Sequence, residues 1–430
     1  MTAAGAVLEV AGGTPLRGRV RPPGDKSVSH RALILGALAH GTTEVTGLSP
    51  GDDVARTATA LRALGAAIED GPAPAQVRVH AAGREALHPA TGPLDVGNSG
   101  TSLRLLAGVC APLPWATTFT GDESLRGRPS RVGPPLRAMG AAVTGTGDDD
   151  RPPLVVVGGP LKGIDYDLPV PSAQVKGAVL LAGVAAEGET VVRERVLTRA
   201  HTEEMLAAFG ADVEVGDGGL TTRVRRSTLS SVPVRVPGDP SQSAFWVVAA
   251  CITPGSDVVV EGVYVGQARA AFLAVLQRMG ADLDVDARPG GTADIRARFG
   301  PLRGTGVGGD EVAGLIDEIP VLAVAAAVAE GATTFSGAAE LRVKESDRVA
   351  TVVSELGALG AVVEPRPDGL VVAGGARLGG GRVRAHGDHR IAMAMAVAGL
   401  AGTGTVRIEG WDAVATSYPG FEDDLGRLCR

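Results

Sequence analysis

Several charged residues of this 430-residue chain stand in short motifs where they could bind anions and transfer protons. The first motif reads Pro23-Gly24-Asp25-Lys26-Ser27-Val28-Ser29-His30-Arg31. An apolar run follows it and ends at Gly41, so we expect a helix with Ser27 or Ser29 as its N-cap. A helix N-terminus favours an anion through its free N–H groups and its macrodipole, and Lys26 and Arg31 would add positive charge. For this motif alone, an ordinary capped helix with a solvated lysine and arginine is an equally good interpretation.

Polar residues of the same kind precede six apolar segments of the chain. They read Asp25-Lys26-Ser27, Gly97-Asn98-Ser99-Gly100-Thr101, Pro171-Ser172-Ala173-Gln174, Gly238-Asp239-Pro240-Ser241, Ile316-Asp317-Glu318 and Gly387-Asp388-His389-Arg390. Helix capping accounts for serine, aspartate and asparagine at such positions. It does not account for Gln174, nor for Lys26 and Arg390, because a cation at the positive end of a helix is unfavourable unless an anion lies beside it. We therefore expect functional sites at these helix starts.

Three further segments are rich in charge. They read Leu341-Arg342-Val343-Lys344-Glu345-Ser346-Asp347-Arg348, Glu123-Ser124-Leu125-Arg126-Gly127-Arg128-Pro129 and Leu197-Thr198-Arg199-Ala200-His201-Thr202-Glu203. Lys344 and Arg348 are four residues apart, so they would share one face if that segment is helical, with Glu345 beside them. Arg128 precedes a proline, which favours an extended backbone suited to a fixed anion clamp. A solvated helix start and two surface loops are the alternatives.

Together, the motifs describe a site for at least two small molecules that carry phosphate or carboxylate groups. Its arginines are Arg31, Arg128, Arg199, Arg348 and Arg390. Its candidates for proton transfer are Lys26, Lys344, Glu345, Asp317 and His389. The sequence shows no P-loop, no GxGxxG unit after a strand, no catalytic triad and no metal-ligand spacing. The pattern therefore favours proton transfer on bound anionic molecules.

Lysine usage points to the same residues. The 41 basic residues include four lysines, which are Lys26, Lys162, Lys176 and Lys344. Arginine cannot readily lose a proton, whereas a partly desolvated lysine can donate or accept one. Lys26 and Lys344 lie inside charged motifs, which favours a chemical role for both. Lys162 lies in a glycine-rich turn, and the presence of a lysine there is best interpreted as chance. Lys176, one helical turn after Ser172, stays ambiguous.

A repeat positions these motifs. Amphipathic segments end in Gly-Ala at glycines 65, 140, 210, 280 and 360, and a sixth would start near Glu422. Between them lie segments that are apolar nearly all round, at about 29–40, 101–110, 173–186, 241–252, 319–330 and 390–401. A helix that is apolar on every side belongs in an interior. We therefore predict six α/β repeats, each with one buried helix, one amphipathic helix and short outer strands.

Composition excludes several classes of protein. A hydrophobic fraction of 44% supports a large core, and a net charge of −7 without a basic tract argues against nucleic-acid binding. Three widely spaced cysteines indicate no disulfide framework and fit a reducing compartment. We expect no signal peptide, and the longest apolar runs are shorter than the roughly 18–20 residues that span a bilayer.

Four of the motifs, in this order and over essentially the whole chain, resemble the signatures of the 5-enolpyruvylshikimate-3-phosphate (EPSP) synthase family. They are PGDKSVSHRA at 23–32, GNSGT at 97–101, RVKESDR at 342–348 and DHRIAM at 388–393. The resemblance implies an α/β fold of two similar domains, each an inside-out α/β barrel of three repeats with buried helices and outer strands. It implies a discontinuous first domain, residues 1–23 and 238–430, and a second domain, residues 24–237.

The resemblance also implies a reaction. Phosphoenolpyruvate would transfer its enolpyruvyl group to the 5-hydroxyl of shikimate 3-phosphate through a tetrahedral intermediate, with release of phosphate. This step belongs to the shikimate pathway of chorismate and aromatic amino-acid biosynthesis. The family implies no metal or organic cofactor, no nucleic acid and no membrane, and the expected state is a cytoplasmic monomer. In this family the herbicide glyphosate occupies the phosphoenolpyruvate site.

Matched motif by motif, the resemblance assigns roles to residues of this chain. Shikimate 3-phosphate would be held by Lys26, Ser27, Arg31, Ser172, Ala173, Gln174, Arg199, Asp317 and Lys344. Phosphoenolpyruvate would be held by Lys26, Asn98, Gly100, Arg128, Gln174, Arg348 and Arg390. The catalytic candidates are Lys26, Asp317, Glu345 and His389, with Asp317 accepting a proton. The other acid and base roles stay undivided, because coupled groups titrate together.

Two departures and two alternatives accompany the resemblance. Thr416 or Ser417 stands where some members carry a basic residue, and Ala173 replaces the second serine of the usual Ser-Ser-Gln. One alternative is the sister transferase acting on UDP-N-acetylglucosamine, which usually has Asn after the lysine and often a mobile-loop cysteine. Here Ser27 follows the lysine, and Cys110 reads as core. The other is a non-catalytic repeat scaffold that binds an anion, which the presence of Lys26 and Glu345 disfavours.

Overall fold

A β-α-β-α-β-β unit recurs through residues 5–430, the part of the chain that the computed structural model describes. The α-helices are α1 (Lys26–Leu38), α2 (Asp52–Ala63), α3 (Gly100–Cys110), α4 (Glu123–Arg126), α5 (Gly133–Met139), α6 (Ala173–Gly183), α7 (His201–Ala208), α8 (Pro240–Ile252), α9 (Ala271–Arg278), α10 (Val312–Leu315), α11 (Ile319–Val328), α12 (Arg348–Ala358), α13 (His389–Ala401) and α14 (Phe421–Leu428). The strands are β1 (Val7–Ala11), β2 (Arg17–Val20), β3 (His40–Thr46), β4 (Ala67–Asp70), β5 (Gln76–Ala82), β6 (Leu94–Asp95), β7 (Ala116–Thr120), β8 (Ala142–Thr146), β9 (Arg151–Val157), β10 (Asp165–Asp167), β11 (Glu189–Arg193), β12 (Val213–Gly216), β13 (Thr221–Arg225), β14 (Val234–Arg235), β15 (Asp257–Tyr264), β16 (Asp282–Arg288), β17 (Thr292–Arg298), β18 (Gly306–Val307), β19 (Thr333–Phe335), β20 (Val363–Arg366), β21 (Gly369–Val372), β22 (Gly381–Arg384) and β23 (Thr405–Glu409).

These strands form six small sheets, and five of the sheets follow one plan. A short strand pairs in parallel with a central strand, which pairs antiparallel with the last strand of a hairpin, as in the order β6-β7-β9-β8. The sixth sheet has the order β1-β23-β22, and there β1 takes the place of the hairpin by pairing antiparallel with β23. The last repeat therefore ends with α14 and is completed by a strand from the beginning of the chain.

Both predicted helix types are confirmed. The amphipathic helices α2, α5, α7, α9 and α12 end just before the Gly-Ala pairs, and all five of these glycines have a positive φ. Such a φ is favourable for glycine, so each one ends its helix and turns the chain into the next strand. The apolar helices are almost entirely buried, and in α8 every one of the 13 residues is.

The start of α1 differs from our expectation. Its N-cap is Asp25, whose carboxylate accepts a hydrogen bond of 2.9 Å from the backbone N–H of Val28. Ser27 and Ser29 lie inside the helix, so the prediction that one of them caps it was wrong. Aspartate is as good an N-cap as serine, and capping by Asp25 starts the helix at Lys26.

The chain divides into two compact units, and each has its own hydrophobic core. Residues up to Pro23 together with Pro237–Arg430 form the terminal unit, and Gly24–Val236 form the inserted unit. Each unit contains three of the six sheets and three of the apolar helices. In the inserted unit these are α1, α3 and α6, and in the terminal unit α8, α11 and α13.

Small residues allow these apolar helices to approach one another closely. Gly108 in α3 faces the backbone of Ala178 in α6, and a Cβ at position 108 would lie 2.2 Å from the Ala178 carbonyl oxygen. The helices fill the interior while the strands keep one half-exposed face, as the burial pattern of β3 shows. This is the arrangement expected of an inside-out α/β barrel.

The few aromatic residues of the terminal unit are concentrated where α14 docks. Trp246 stacks on Phe421 with ring centroids 4.4 Å apart, and its Nε1–H donates to the Tyr418 hydroxyl at 3.0 Å. That hydroxyl donates to Asp424 at 2.6 Å. Burial, together with Asp424, raises the pKa of Tyr418 well above its ordinary value. This aromatic cluster anchors Tyr418 and thereby the preceding segment, which contains Thr416.

Candidate active-site residues in each unit

The N-terminus of α1 presents the first pair of candidates in the inserted unit. The Lys26 Nζ lies 2.9 Å from Oδ2 of Asp53, a residue of the first turn of α2. The Lys26 side chain is 17% exposed and that of Asp53 is 9% exposed, so the pair is largely screened from water. The sequence analysis missed Asp53, because Asp52-Asp53 at the start of an amphipathic helix is typical of a favourable helix dipole.

Arg31 and Arg199 both lie beside Ser27. The buried Arg31 donates from Nη1 to the Ser27 carbonyl oxygen at 2.9 Å and from Nε to the Thr202 hydroxyl at 2.8 Å. Arg199 donates to the Ser27 hydroxyl at 3.4 Å. The structure therefore brings these three predicted residues together. Arg31 joins α1 to the start of α7, and Thr202 is a partner that the sequence analysis did not single out.

Arg128 and Asn98, two predicted site residues from separate motifs, are also in contact. Nη2 of Arg128 donates to the Asn98 carbonyl oxygen at 2.6 Å and also to its side-chain oxygen. Gly97, with φ of 57°, provides the turn before Asn98. Gly100 is the first residue of α3 and has no positive φ. The backbone of this turn therefore requires glycine at position 97 and not at position 100.

Arg104 joins these segments and was not among the predicted site residues. Its guanidinium donates to Gln174 Oε1 at 2.5 Å, and to the carbonyl oxygens of Pro129 and Ser130 at 2.9 Å each. The Gln174 side-chain NH2 in turn donates to the Thr101 hydroxyl at 2.8 Å. An arginine inside an otherwise apolar helix was the signal that could have identified it.

Ser172 and Ala173 lie at the start of α6. The Ser172 hydroxyl accepts a hydrogen bond of 3.3 Å from the Val175 N–H, so it is the N-cap, and Ala173 is the first helical residue. Lys176, which the sequence left ambiguous, is fully buried beside two glutamates. Lys162 is exposed, in keeping with its interpretation as a turn residue.

A chain of hydrogen bonds connects α1, α2 and α3 beneath these residues. His30 Nδ1 lies 2.7 Å from the Thr57 hydroxyl, which lies 2.7 Å from the Ser102 hydroxyl, and Ser102 donates to Ser99 at 2.8 Å. Burial, with Lys26 and Arg31 nearby, holds the pKa of His30 well below its ordinary value. His30 is therefore a neutral structural residue.

In the terminal unit, the Asp317 carboxylate has three cations around it. Its Oδ1 lies 3.4 Å from Nζ of Lys344 and 3.2 Å from Nη1 of Arg348. Nη2 of Arg390 lies 3.9 Å from Oδ2, and its Nη1 donates to the Asp317 carbonyl oxygen at 3.2 Å. Four predicted residues from three distant motifs thus meet at one carboxylate.

Arg348 is the most heavily paired of these cations. It is 1% exposed, and it contacts Glu345 at 2.6 Å and Asp388 at 2.8 Å in addition to Asp317. Burial opposes its charge, but the three carboxylates raise the pKa of Arg348 above its ordinary value. Burial would raise the pKa of Asp388, yet Arg348 holds that pKa below its ordinary value. Asp388 belongs to a quoted motif, but we did not include it among the predicted site residues.

Lys344 and Arg348 do not share a helical face, because the segment that contains them is not one helix. A 3-10 helix spans Ala339–Val343, Lys344 is extended, and Arg348 begins α12 with Asp347 as its N-cap. The two side chains meet at Asp317 because the chain bends between them. His389 begins α13 and is 1% exposed, and Thr416 ends a 3-10 helix that spans Trp411–Thr416.

Residues 5–430 contain neither a metal-binding cluster nor a membrane-spanning helix. No group of three or more histidine, cysteine, aspartate or glutamate side chains in this range could hold a metal ion. No helix within the same range is long and apolar enough to cross a membrane.

Comparison with solved structures defines the class of protein. The enolpyruvyl transferase NikO from Streptomyces tendae matches with a TM-score of 0.78 at 22% identity, over 99% of this chain and 98% of that chain. At this identity the match shows the fold alone, which is that of enolpyruvyl transferases. An EPSP synthase from Acinetobacter baumannii matches with a TM-score of 0.86 at 43% identity, over 98% of both chains. The predicted fold class is confirmed.

Comparison of sequences gives the family. The EPSP synthase (3-phosphoshikimate 1-carboxyvinyltransferase) family model matches residues 10–425. The 3-phosphoshikimate 1-carboxyvinyltransferase of Gloeobacter violaceus is 50% identical over 435 residues, 99% of both chains. That of Halorhodospira halophila is 52% identical over 425 residues, 97% of this chain and 95% of the relative. The chain therefore belongs to the EPSP synthase family, and the prediction of an enolpyruvyl-transferring enzyme of the shikimate pathway is confirmed.

Proposed function

We propose that this chain transfers the enolpyruvyl group of phosphoenolpyruvate to the 5-hydroxyl of shikimate 3-phosphate and releases phosphate. The observation that carries the residue-level proposal is the meeting of Lys344, Arg348 and Arg390 at Asp317. A carboxylate among cations suits a reaction in which a hydroxyl loses a proton beside anionic substrates. The two enolpyruvyl transferase domains would be residues 1–23 with 238–430, and residues 24–237.

In the proposed site, residues of the inserted unit would hold the phosphate of shikimate 3-phosphate. Arg199 and Ser27, whose Nη1 and hydroxyl oxygen lie 3.4 Å apart, would bind the acceptor's phosphate. Arg31 would hold Ser27 in place through its hydrogen bond to the Ser27 carbonyl oxygen. Ser172, Ala173 and Gln174 at the start of α6 would add hydrogen-bonding groups for the same substrate. Arginine suits this purpose because its planar fork matches phosphate and carboxylate geometry.

Phosphoenolpyruvate would be held by Arg128, Asn98 and Gly100 of the inserted unit and by Arg348 and Arg390 of the terminal unit. Arg128 already donates to Asn98, so both are held in a defined geometry. Arg104 fixes Gln174 and the backbone that follows Arg128. It therefore acts as a positioning residue for two groups that would contact substrate.

Proton transfer is assigned to Lys26, Asp317, Glu345 and His389. Asp317 would accept the proton of the 5-hydroxyl, whose oxygen attacks C2 of phosphoenolpyruvate while an acid protonates C3. The tetrahedral intermediate then loses that proton from C3 and expels phosphate. Lys26, Glu345 and His389 are the candidates for the acid, and Lys344 would bind the acceptor next to Asp317.

The proposed setting is the cytoplasm, and the proposed working state is a monomer. All three cysteines, Cys110, Cys251 and Cys429, are unpaired, which fits a reducing compartment. Burial raises the pKa of Cys110 and Cys251 to about 12, so neither is a reactive thiolate. Light scattering coupled to gel filtration, with and without substrates, tests the oligomeric state.

A phosphate-release assay tests the reaction. Purified protein should release phosphate when phosphoenolpyruvate and shikimate 3-phosphate are both present, and not with either substrate alone. The product should show the vinyl protons of an enolpyruvyl ether in its NMR spectrum. Phosphate release with UDP-N-acetylglucosamine in place of shikimate 3-phosphate would assign the chain to the sister transferase. Binding of shikimate 3-phosphate without any turnover would support the non-catalytic scaffold.

A further inference from the structure

Lys176 has a buried environment unlike that of the other lysines. Its Nζ lies 2.5 Å from Oε2 of Glu194 and 2.6 Å from Oε1 of Glu203. The Lys176 and Glu194 side chains are each 1% exposed, and that of Glu203 is 4% exposed. We call these three residues the Lys176 cluster. It lies wholly within the inserted unit.

Stability alone does not explain the Lys176 cluster. Removing charges from water is costly, and apolar residues of similar volume often stabilise a protein as well as or better than a buried ion pair. The cluster also has two carboxylates for one ammonium, and burial raises the pKa of Glu194 above its ordinary value. Among the described residues, Oε2 of Glu203 is buried and has no hydrogen-bond partner. An arrangement with so unfavourable a desolvation free energy suggests that the cluster holds part of the chain in a fixed position.

The cluster joins the two ends of one loop. Glu194 directly follows β11, and Glu203 lies in the first turn of α7, so residues 195–200 form the connection between them. Thr198 within this loop also donates its hydroxyl hydrogen bond to Glu194. The next loop residue is Arg199, which donates to Ser27. A single ammonium group therefore fixes the base of the loop that carries Arg199.

The other arginine of this region is positioned from the same place. Thr202 precedes Glu203 and accepts the 2.8 Å hydrogen bond from Arg31. Gly177 follows Lys176, and a Cβ there would lie 2.7 Å from the Thr202 hydroxyl and 3.3 Å from Nη2 of Arg31. The close approach of α6 to α7 thus places Lys176 and Thr202 side by side.

Lysine has a physical advantage over arginine at position 176. An ammonium is compact and has three donors, so it can bond to two carboxylates from different elements in a closed space. The planar fork of arginine is wider and matches one carboxylate face-on. In a chain with 4 lysines among its basic residues, this accounts for lysine at a site that touches no solvent.

We propose that the Lys176 cluster is a positioning device that holds the Arg199 loop in the conformation that binds the phosphate of the acceptor substrate. This inference rests on the proposed function, because Arg199 is assigned to shikimate 3-phosphate there. The cluster touches no substrate. It acts through Arg199 and Thr202, and its loss affects acceptor binding more than phosphoenolpyruvate binding.

The test uses two variants of the full chain and one matched control. Lys176→Met removes the ammonium, and the triple variant Lys176→Met, Glu194→Gln, Glu203→Gln also removes the unpaired carboxylates in case the single variant does not fold. Lys162→Met makes the same change at an exposed lysine. For each protein we would measure hydrogen exchange of residues 194–203 and the KM for each substrate.

The folded variants should show faster exchange in residues 194–203 and a KM for shikimate 3-phosphate raised about tenfold or more, the scale of one weakened charge-assisted contact. The KM for phosphoenolpyruvate should change less than about twofold, and Lys162→Met should match the parent. An unchanged acceptor KM overturns the proposal, as does an equal rise of both KM values. If the parent itself releases no phosphate, the proposed function fails, and unchanged exchange of the loop would still refute the positioning role independently.

Discussion

The two units contain cations in contrasting surroundings. In the inserted unit, Arg128, Arg199 and Arg104 each donate to an amide, hydroxyl or backbone oxygen. In the terminal unit, Arg348 contacts three carboxylates within 3.2 Å. A neutral oxygen fixes the direction of a guanidinium through hydrogen-bond geometry, whereas a carboxylate adds an ionic attraction to that geometry. We propose that the acceptor's phosphate binds in the inserted unit and that a carboxylate of the terminal unit, Asp317, accepts the proton.

Lys26 and Lys176 provide a second comparison, between two lysines of the inserted unit. Both pair with carboxylates, but Lys26 is 17% exposed at the start of α1 and Lys176 is buried. The first is accessible to a substrate, and the second fixes a loop. Burial and geometry thus separate the lysine proposed to take part in the reaction from the lysine proposed to position its neighbours.

The largest effect is expected at Asp317. Asp317→Asn keeps the shape and one hydrogen-bonding oxygen but removes the basic carboxylate. Turnover should fall by about 10²–10⁴, the usual contribution of a general acid or base, while both KM values stay within about threefold. Steady-state kinetics measure this, with the exposed Asp310→Asn as control. A large rise in KM with normal turnover would show that Asp317 only binds substrate.

Lys26→Arg tests whether Lys26, the partly buried lysine at the start of α1, does more than bind substrate. Arginine keeps the charge next to Asp53 but does not readily lose a proton. We expect turnover to fall by roughly 10². A pH–rate profile measured together with kcat would show whether a titrating group has been lost. Near-normal turnover in the arginine variant would mean that Lys26 supplies charge only, and the contrast between the units would then be sharper.

Gly100→Ala tests the selectivity of the pocket near Arg128. The added Cβ would lie 2.7 Å from Nη1 of Arg104 and 3.8 Å from Nη1 of Arg128. Because glyphosate is longer than phosphoenolpyruvate, we expect its inhibition constant to rise about tenfold or more, a typical effect of one carbon in a fitted pocket. The KM for phosphoenolpyruvate should rise by a smaller factor.

Paired inhibition and substrate curves measure these two constants. Gly159→Ala is the control, because no atom lies within 4 Å of its added Cβ. Equal factors for the two constants would show that the methyl group disturbs Arg104 and Gln174 without discriminating between the ligands.

The smallest effect concerns stability at mildly acidic pH. The unfolded chain takes up a proton at His30 as the pH falls through about 6.5, whereas the folded chain resists it because its His30 pKa is lowered. The free energy of unfolding of the inserted unit should therefore decrease by about 1.4 kcal/mol between pH 7.5 and 5.5. Asp388 in the terminal unit has a lowered pKa, so its contribution is lost only below about pH 4.

Hydrogen exchange resolved by unit can measure this difference. His30→Gln should remove the pH dependence from the inserted unit, and His88→Gln, at an exposed position, should leave it in place. An equal loss of protection in both units between pH 7.5 and 5.5 would contradict the assignment.

The repeat could be predicted from the sequence because its signals are local. Glycines such as Gly65 and Gly140 end helices through their own backbone preference, and an all-round apolar segment belongs inside whatever surrounds it. The N-cap of α1 was mispredicted because Asp25 and Ser27 are equally good caps, and only the backbone decides between them.

The partners of the site residues were harder to predict, since they depend on contacts between distant segments. Asp53 is adjacent to Lys26 through the packing of α2 on α1, and Arg104 reaches Gln174 across 70 positions of sequence. Lys176 remained ambiguous because its two carboxylates come from β11 and α7. Lys344 and Arg348 meet at Asp317 although no helix joins them. The motifs contain the residues proposed to bind the substrates, and the fold supplies the partners that hold those residues in place.

A direct measurement of shikimate 3-phosphate binding, without turnover, tests the division between the units. Titration calorimetry would compare the parent with Arg199→Met and Asp317→Asn. The account predicts that Arg199→Met weakens binding by about tenfold or more, because a charge-assisted contact is lost, and that Asp317→Asn binds within about threefold of the parent. Binding that is about tenfold weaker in Asp317→Asn and normal in Arg199→Met would contradict the account, because the terminal unit would then hold the acceptor's phosphate.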